Sequence, residues 1–170
     1  FNDLLALEKD MEIQGTFHFH TDQTPLTFKR WVFDPSYSTQ SKDVQNLFLK
    51  LQAEDHKIGL HPGFDSWDDR FSMKAQKREL EAATKTEISA CRQHWLRFSW
   101  AKTWFCQESI GLMSDTTLMF NDRPGFRNAC AVGWHPWDAI RKKMYKVKAH
   151  CTVLMDSHLY DYQQLNDAQR

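Results

Sequence analysis

Side chains able to bind a metal or to exchange protons recur directly after the strand-like segments of this sequence. His61 and Asp65 follow one such segment, Arg92 and His94 follow the next, and Asp115 ends a third. Imidazole and carboxylate groups that converge on one edge of a sheet can ligate a divalent metal or act as acid–base catalysts. The sequence therefore predicts a site of one or both kinds.

Two further imidazoles lie at the start of the chain, and one lies near its end. His18 and His20 are two residues apart in a strand-like segment, so their side chains share one strand face. Either they form part of a metal site, or one of them is buried in the core. His158 follows the last strand-like segment and completes the set.

Strand-like and helix-like segments that could position these residues alternate along the chain. The strand-like segments are 13–20, 56–60, 88–92, 112–116 and 147–155, and the predicted helices are 1–11, 43–54, 72–85, 100–110, 137–144 and 159–169. Such alternation predicts βα units and a parallel sheet, with residues 21–43 as a long surface excursion. Ligands bind at the carboxyl ends of strands in such sheets, so the candidate side chains should share one rim.

The composition excludes several classes of protein. Twenty-two basic and 22 acidic residues give no net charge, whereas a general nucleic-acid binder carries a basic excess. No apolar run approaches the roughly 20 residues that a membrane-spanning helix needs. The length of 170 residues predicts one domain. The four cysteines are widely spaced, which favours buried free thiols over a disulfide framework.

Several motifs resemble those of a known family. Residues 56–62 (HKIGLHP) resemble the G-H-x-I-G-x-H stretch of the polysaccharide deacetylases, the NodB-homology or carbohydrate esterase family 4 group. Residues 15–19 (GTFHF) are similar to their A-T-F-F strand, and residues 92–95 (RQHW) occupy the place of R-x-P-Y. Residues 115–127 and 155–159 (MDSHL) resemble a divergent subgroup, so the likeness spans nearly the whole chain.

The resemblance implies an α/β fold, namely a parallel-stranded distorted or incomplete (β/α) barrel of the polysaccharide deacetylase type. It also implies metal-dependent hydrolysis of an N-acetyl or related acyl group on a carbohydrate. The expected cofactor is a divalent metal, first of all zinc, held by His61, Asp65 and His94. A backbone-bonded histidine and an ordinary loop carboxylate are the alternatives for these residues.

The same resemblance assigns the remaining candidates. Arg92, Asp115 and His158 take catalytic roles, the first two by orienting other groups. Trp95, Asp122 and Arg127 are the expected substrate-binding residues. For each residue a structural role is the alternative, such as a salt bridge for the arginines and core packing for the tryptophan.

The sequence departs from the family at three places. The chain begins after the strand whose Asp pair supplies the general base and one metal ligand. Asp65 stands where the second metal-binding histidine belongs, and His94 replaces the proline of R-x-P-Y. A catalytically inactive carbohydrate-binding domain or fragment is therefore the alternative. A missing first strand would also leave the sheet edge at residues 13–20 exposed, which predicts a homodimer through that edge.

Overall fold

The computed structural model describes residues 2–21, 24–25 and 27–162. Its strands are β1 (Thr16–Phe19), β2 (Lys57–Leu60), β3 (Ala90–Cys91), β4 (Ser114–Asp115), β5 (Trp137–Asp138), β6 (Lys143–Met144) and β7 (Lys148–Ala149). Its α-helices are α1 (Asn2–Asp10), α2 (Phe28–Phe33), α3 (Lys42–Ala53), α4 (Arg70–Thr84) and α5 (Thr103–Ser109). A 3₁₀ turn covers His94–Leu96, and a π-helical turn covers His158–Tyr162.

Five strands form one parallel sheet in the order β1-β2-β3-β4-β7. This confirms the predicted α/β class and the parallel sheet. Phe17 of β1 pairs with Ile58 of β2, and β1 is an edge strand of the sheet. The carboxyl ends of all five strands consequently point toward the same rim, as the alternation of segments predicts.

The main core lies between this sheet and the helices that follow its first strands. Phe48 and Leu51 of α3 and Leu80 of α4 pack with Leu60 and Ile88, and each of these side chains is at most 1% exposed. The side chain of Ser41 caps α3 by accepting the N–H of Val44. The carboxylate of Asp69 caps α4 by accepting the N–H groups of Phe71 and Ser72.

The predicted helix over 137–144 is wrong, because this segment forms the antiparallel pair β5–β6. One oxygen of Asp138 accepts the backbone N–H groups of Ile140 and Arg141, each at 2.9 Å. An aspartate that binds the backbone two residues ahead favours a turn over a helix. Lys142, with a φ of 52°, completes the reversal of the chain.

The last predicted strand is shorter in the structure, and Val153 lies outside it. Only Lys148–Ala149 joins the sheet, whereas the carbonyl of Val153 accepts the N–H of Gly125. The predicted closing helix, 159–169, falls mostly outside the described residues. Among the described helices, none is long and apolar enough to cross a bilayer.

Candidate metal centre

Three side chains from separate parts of the chain meet at the carboxyl edge of the sheet. His20 follows β1, Asp34 follows α2, and His94 follows β3. One ligand atom from each of the three lies within 4.8 Å of the others. Two imidazoles and a carboxylate are a donor set that zinc accepts, so these residues could hold a divalent metal.

Asp34 is fixed in place by contacts on both of its oxygens. Its Oδ1 accepts the N–H of Phe64 at 2.8 Å and lies 3.0 Å from Nδ1 of His94. Its Oδ2 lies 3.5 Å from Nε of Arg30, one helical turn earlier. The side chain is 4% exposed. Such outer contacts orient a ligating carboxylate and restrict its rotation.

The ring of His61 lies beside that of His94, with 4.7 Å between their centroids. Its Nδ1 is 2.7 Å from the backbone carbonyl oxygen of Arg92. Because a carbonyl can only accept, Nδ1 carries the proton and Nε2 keeps its lone pair. Burial, with a further contribution from His94, lowers the pKa of His61 to about 3. The ring is therefore neutral near pH 7, and it lies next to, but outside, the group formed by His20, Asp34 and His94.

His18 is a further imidazole on the same strand face as His20. It lies across Gly59, its register partner in β2. A Cβ atom at position 59 would lie 2.6 Å from Cδ2 and 2.9 Å from Nε2 of His18, so glycine makes room for the ring. Burial first, and then the charge of Arg92, lowers the pKa of His18 to about 4.

A cleft of about 290 Å³ opens beside these imidazoles. It is lined by His61, Arg92 and His94, and further out by Trp95, Asn121 and Tyr162. Trp95 is 52% exposed and has a φ of 55°, in the left-handed region that a non-glycine residue rarely adopts. Its ring packs edge to face against Phe33 at 5.6 Å. The lip of the cleft is thus aromatic and its floor is basic.

Asp65, a metal ligand expected from the sequence, lies at the surface. Its side chain is 62% exposed and pairs with Nζ of Lys29 at 2.5 Å and with a guanidinium nitrogen of Arg97 at 2.9 Å. The hydrogen bond from Lys29 is the main cause of its lowered pKa. The carboxylate that joins the histidines is Asp34, from the surface excursion, and no strand end marks that residue in the sequence.

Asp115 is a buried acceptor at the back of the site. Its oxygens accept the indole N–H of Trp104 at 3.0 Å and the amide of Gln107 at 3.1 Å, together with the N–H and hydroxyl of Thr117. Burial raises its pKa, while these donors oppose the rise. Asp115 therefore ties α5 to the end of β4. Burial lowers the pKa of the neighbouring Arg92, and the charge of Asp115 opposes this change.

The structure places His158 in a backbone-binding position. The residue is fully buried, and its Nδ1 accepts the N–H of Met155 at 3.1 Å. Its Nε2 lies 3.0 Å from the carbonyl of Phe120, to which it must donate. Both ring nitrogens are thus engaged in holding two loops together, which leaves neither one for the predicted catalytic role.

The remaining two substrate-binding candidates also make protein contacts. Asp122 is exposed and pairs with its neighbour Arg123 at 3.0 Å. Arg127 donates to the carbonyl of Leu96 at 2.8 Å and to that of Met119 at 3.5 Å. Arg127 therefore braces the loop that carries Trp95, so its effect on the cleft is indirect.

Comparison of the chain with models of known protein families, and with curated protein sequences, finds no match.

Proposed function

We propose that this chain is a metal-dependent hydrolase domain that removes an acyl group, in the first place N-acetyl, from a carbohydrate. The observation that carries the proposal is the meeting of His20, Asp34 and His94 at the carboxyl edge of a parallel sheet. An incomplete (β/α) barrel of the deacetylase type is the finer fold that this proposal assumes. The consecutive strand order β1-β2-β3-β4 supports that assumption.

The donor set fits zinc, which prefers nitrogen and oxygen ligands and keeps one position open in catalytic sites. A bound zinc ion would supply a Lewis acid that polarises the acyl carbonyl and lowers the pKa of a water molecule. His20, Asp34 and His94 would hold it and leave the fourth position open. The low pKa of His61 keeps its Nε2 free of a proton at neutral pH, beside the ring of His94.

The other residues of the cleft have roles that follow from their positions. Arg92 places a guanidinium in the cleft wall, where it can stabilise negative charge developing on a substrate oxygen. Trp95 offers an exposed ring at the lip, against which the apolar face of a sugar can pack. Asp115 would act on Arg92 through its charge and on α5 through its hydrogen bonds, without touching substrate.

A second candidate function, a carbohydrate-binding domain without catalysis, is favoured by one observation. None of the described residues that line the cleft is a carboxylate. Asp34 contacts the lining residue His94, but its oxygens are engaged by Phe64, His94 and Arg30. The described lining of the cleft thus holds no carboxylate that could take a proton from water.

The two candidates are separated by incubating zinc-loaded protein with N-acetylglucosamine oligomers and measuring free acetate. Hydrolysis that requires zinc and is lost in Asp34→Asn supports the hydrolase. Stoichiometric zinc and saturable oligomer binding without acetate release would support the binding domain instead. The absence of both zinc uptake and oligomer binding would contradict both candidates.

A further inference from the structure

A second cavity, of about 420 Å³, lies beside the β5–β6 hairpin and the start of α5. It shares no lining residue with the cleft lined by His61, Arg92 and His94, which we call the histidine cleft. Four indoles and a phenol form most of its wall, with one carboxylate at the edge: Trp100, Trp104, Trp134, Trp137, Tyr145 and Asp138. We refer to these six residues as the tryptophan pocket.

The rings of the tryptophan pocket stand at steep angles to one another. Trp104 is 2% exposed and lies at the centre of the group. The ring of Trp100 is 5.2 Å from it at 80°, and that of Trp134 is 5.5 Å away at 85°. Trp100 and Trp137 are 57% and 63% exposed, although indoles are usually well covered. Trp104 is thus covered by its neighbours, and the exposed rings of the pocket are those of Trp100 and Trp137.

The pocket offers few polar groups to a ligand, which argues against a sugar. Asp138 accepts two backbone N–H groups and Nε of Arg141. The indole N–H of Trp104 is given to Asp115. Sugar hydroxyls buried here would lose hydrogen bonds to water without replacing them, and each such loss costs affinity.

The electrostatics of the pocket favour a cation. Aromatic faces carry partial negative charge and attract cations, and indole does so best. Backbone N–H donation from Arg141 is the main cause that lowers the pKa of Asp138 to about 2, so its carboxylate is ionised at neutral pH. Arg141 already lies over the rings of Phe105 and Tyr145, at 4.8 Å and 5.0 Å. Its own charge is shared between Asp138 and Glu108.

We propose that the tryptophan pocket binds a quaternary ammonium group. A quaternary ammonium group has no N–H to donate, so it gives up no hydrogen bond when it enters a pocket whose acceptors are already occupied. It is held instead by the aromatic rings that line the pocket, of which Trp100 and Trp137 are the most exposed. A primary ammonium, by contrast, would leave its three donors unsatisfied among the indoles.

The proposal is tested by following tryptophan fluorescence while the protein is titrated with choline. The matched ligand is 3,3-dimethylbutan-1-ol, which has the same shape as choline but no charge. Choline should bind more tightly than the alcohol. A cation–π contact at an exposed site is worth roughly 0.5–1 kcal/mol, and 1.4 kcal/mol is tenfold, so each ring contributes about two- to fivefold.

The variant is Trp137→Ala, and Trp31→Ala is its control. The two side chains are 63% and 64% exposed, but Trp31 lies on α2 and not in the pocket. Trp137→Ala should weaken choline binding two- to fivefold, while Trp31→Ala leaves it unchanged. Equal affinity for choline and the neutral alcohol would overturn the proposal, as would no effect of Trp137→Ala or no saturable binding of choline.

Discussion

The histidine cleft and the tryptophan pocket are built from different parts of the fold and by opposite means. The cleft collects titratable groups, namely His61, Arg92 and His94, and burial keeps the pKa of His61 and that of His94 low. The pocket collects aromatic rings and has its one carboxylate, Asp138, already bound by Arg141. The cleft offers nitrogen lone pairs to a metal, whereas the tryptophan pocket offers aromatic ring faces to a ligand.

The position of each site relative to the parallel sheet determines which groups it offers to a ligand. The cleft lies where parallel strands end, and there each strand delivers one polar side chain to a common rim. The pocket lies beyond the last parallel strand, where α5 and a short hairpin close a second, aromatic core around Trp104 and Val147. The residues of the pocket come from α5, the hairpin and the adjoining loops, and not from the ends of parallel strands.

The largest expected effect is on metal binding at the cleft. His94→Ala removes a ligand, so zinc affinity should fall by more than the roughly 10–100-fold that loss of an outer contact costs. His135→Ala is the control, because His135 is an exposed imidazole outside the cluster. Isothermal titration with zinc measures both variants. Equal loss in the two variants would mean that zinc binds histidines indiscriminately.

The rim is the part of the site that the sequence predicts well, since His61, Arg92 and His94 all line one cleft. Asp34 could not be predicted from the sequence because it lies in the surface excursion, 60 residues before His94. Only in the folded chain does its Oδ1 lie 3.0 Å from Nδ1 of His94. For the fold, four of the predicted helices (α1, α3, α4 and α5) and the parallel pairing of the strands follow from the spacing of apolar residues, whereas α2 lies in the segment predicted as a surface excursion. The β5–β6 hairpin does not, because one aspartate side chain bound to the backbone overrides the helical spacing of its neighbours.

The next largest effect is on the free energy of unfolding of metal-free protein. The pKa values of His18 and His61 are about 4 and 3, against 6.5 for a free imidazole. Below pH 6.5 the two imidazoles of the unfolded chain therefore take up protons, whereas in the folded protein they stay neutral until the pH approaches their lowered pKa values. This stabilisation is present above pH 6.5 and is lost as the pH falls toward the folded values.

Between pH 7 and pH 5 each of these two rings should remove up to about 2 kcal/mol from the free energy of unfolding. Urea unfolding across this range, in the presence of a chelator, measures the loss. A His18→Gln, His61→Gln double variant should show a flatter dependence on pH. A wild-type curve as flat as that of the double variant would contradict the burial of neutral imidazoles.

A smaller effect is expected where His18 crosses Gly59. Gly59→Ala places a methyl group against the imidazole, and overpacking of this kind costs roughly 1–3 kcal/mol. The cost should shrink in a His18→Ala background, because the clashing ring is then absent. Thermal unfolding of the four proteins of this cycle gives the coupling. Additive effects would show that His18 does not lie over Gly59 in solution.

The smallest effect is expected at Asp65. Its ion pairs with Lys29 and Arg97 are exposed, and exposed pairs contribute about 0–1 kcal/mol. Asp65→Asn should therefore change stability little and leave zinc affinity unaltered. A large loss of zinc affinity in this variant would restore Asp65 as a ligand, as the resemblance implies.

The central claim, a metal centre of His20, Asp34 and His94, is tested most directly by X-ray absorption at the zinc edge of zinc-loaded protein. The expected spectrum has nitrogen and oxygen ligands at roughly 2.0–2.1 Å, with the multiple scattering of at least two imidazoles. Elemental analysis of the same sample should give one zinc per chain, and Asp34→Asn should lower that occupancy. A spectrum dominated by sulfur at about 2.3 Å, or protein that retains no zinc after dialysis, would contradict the claim.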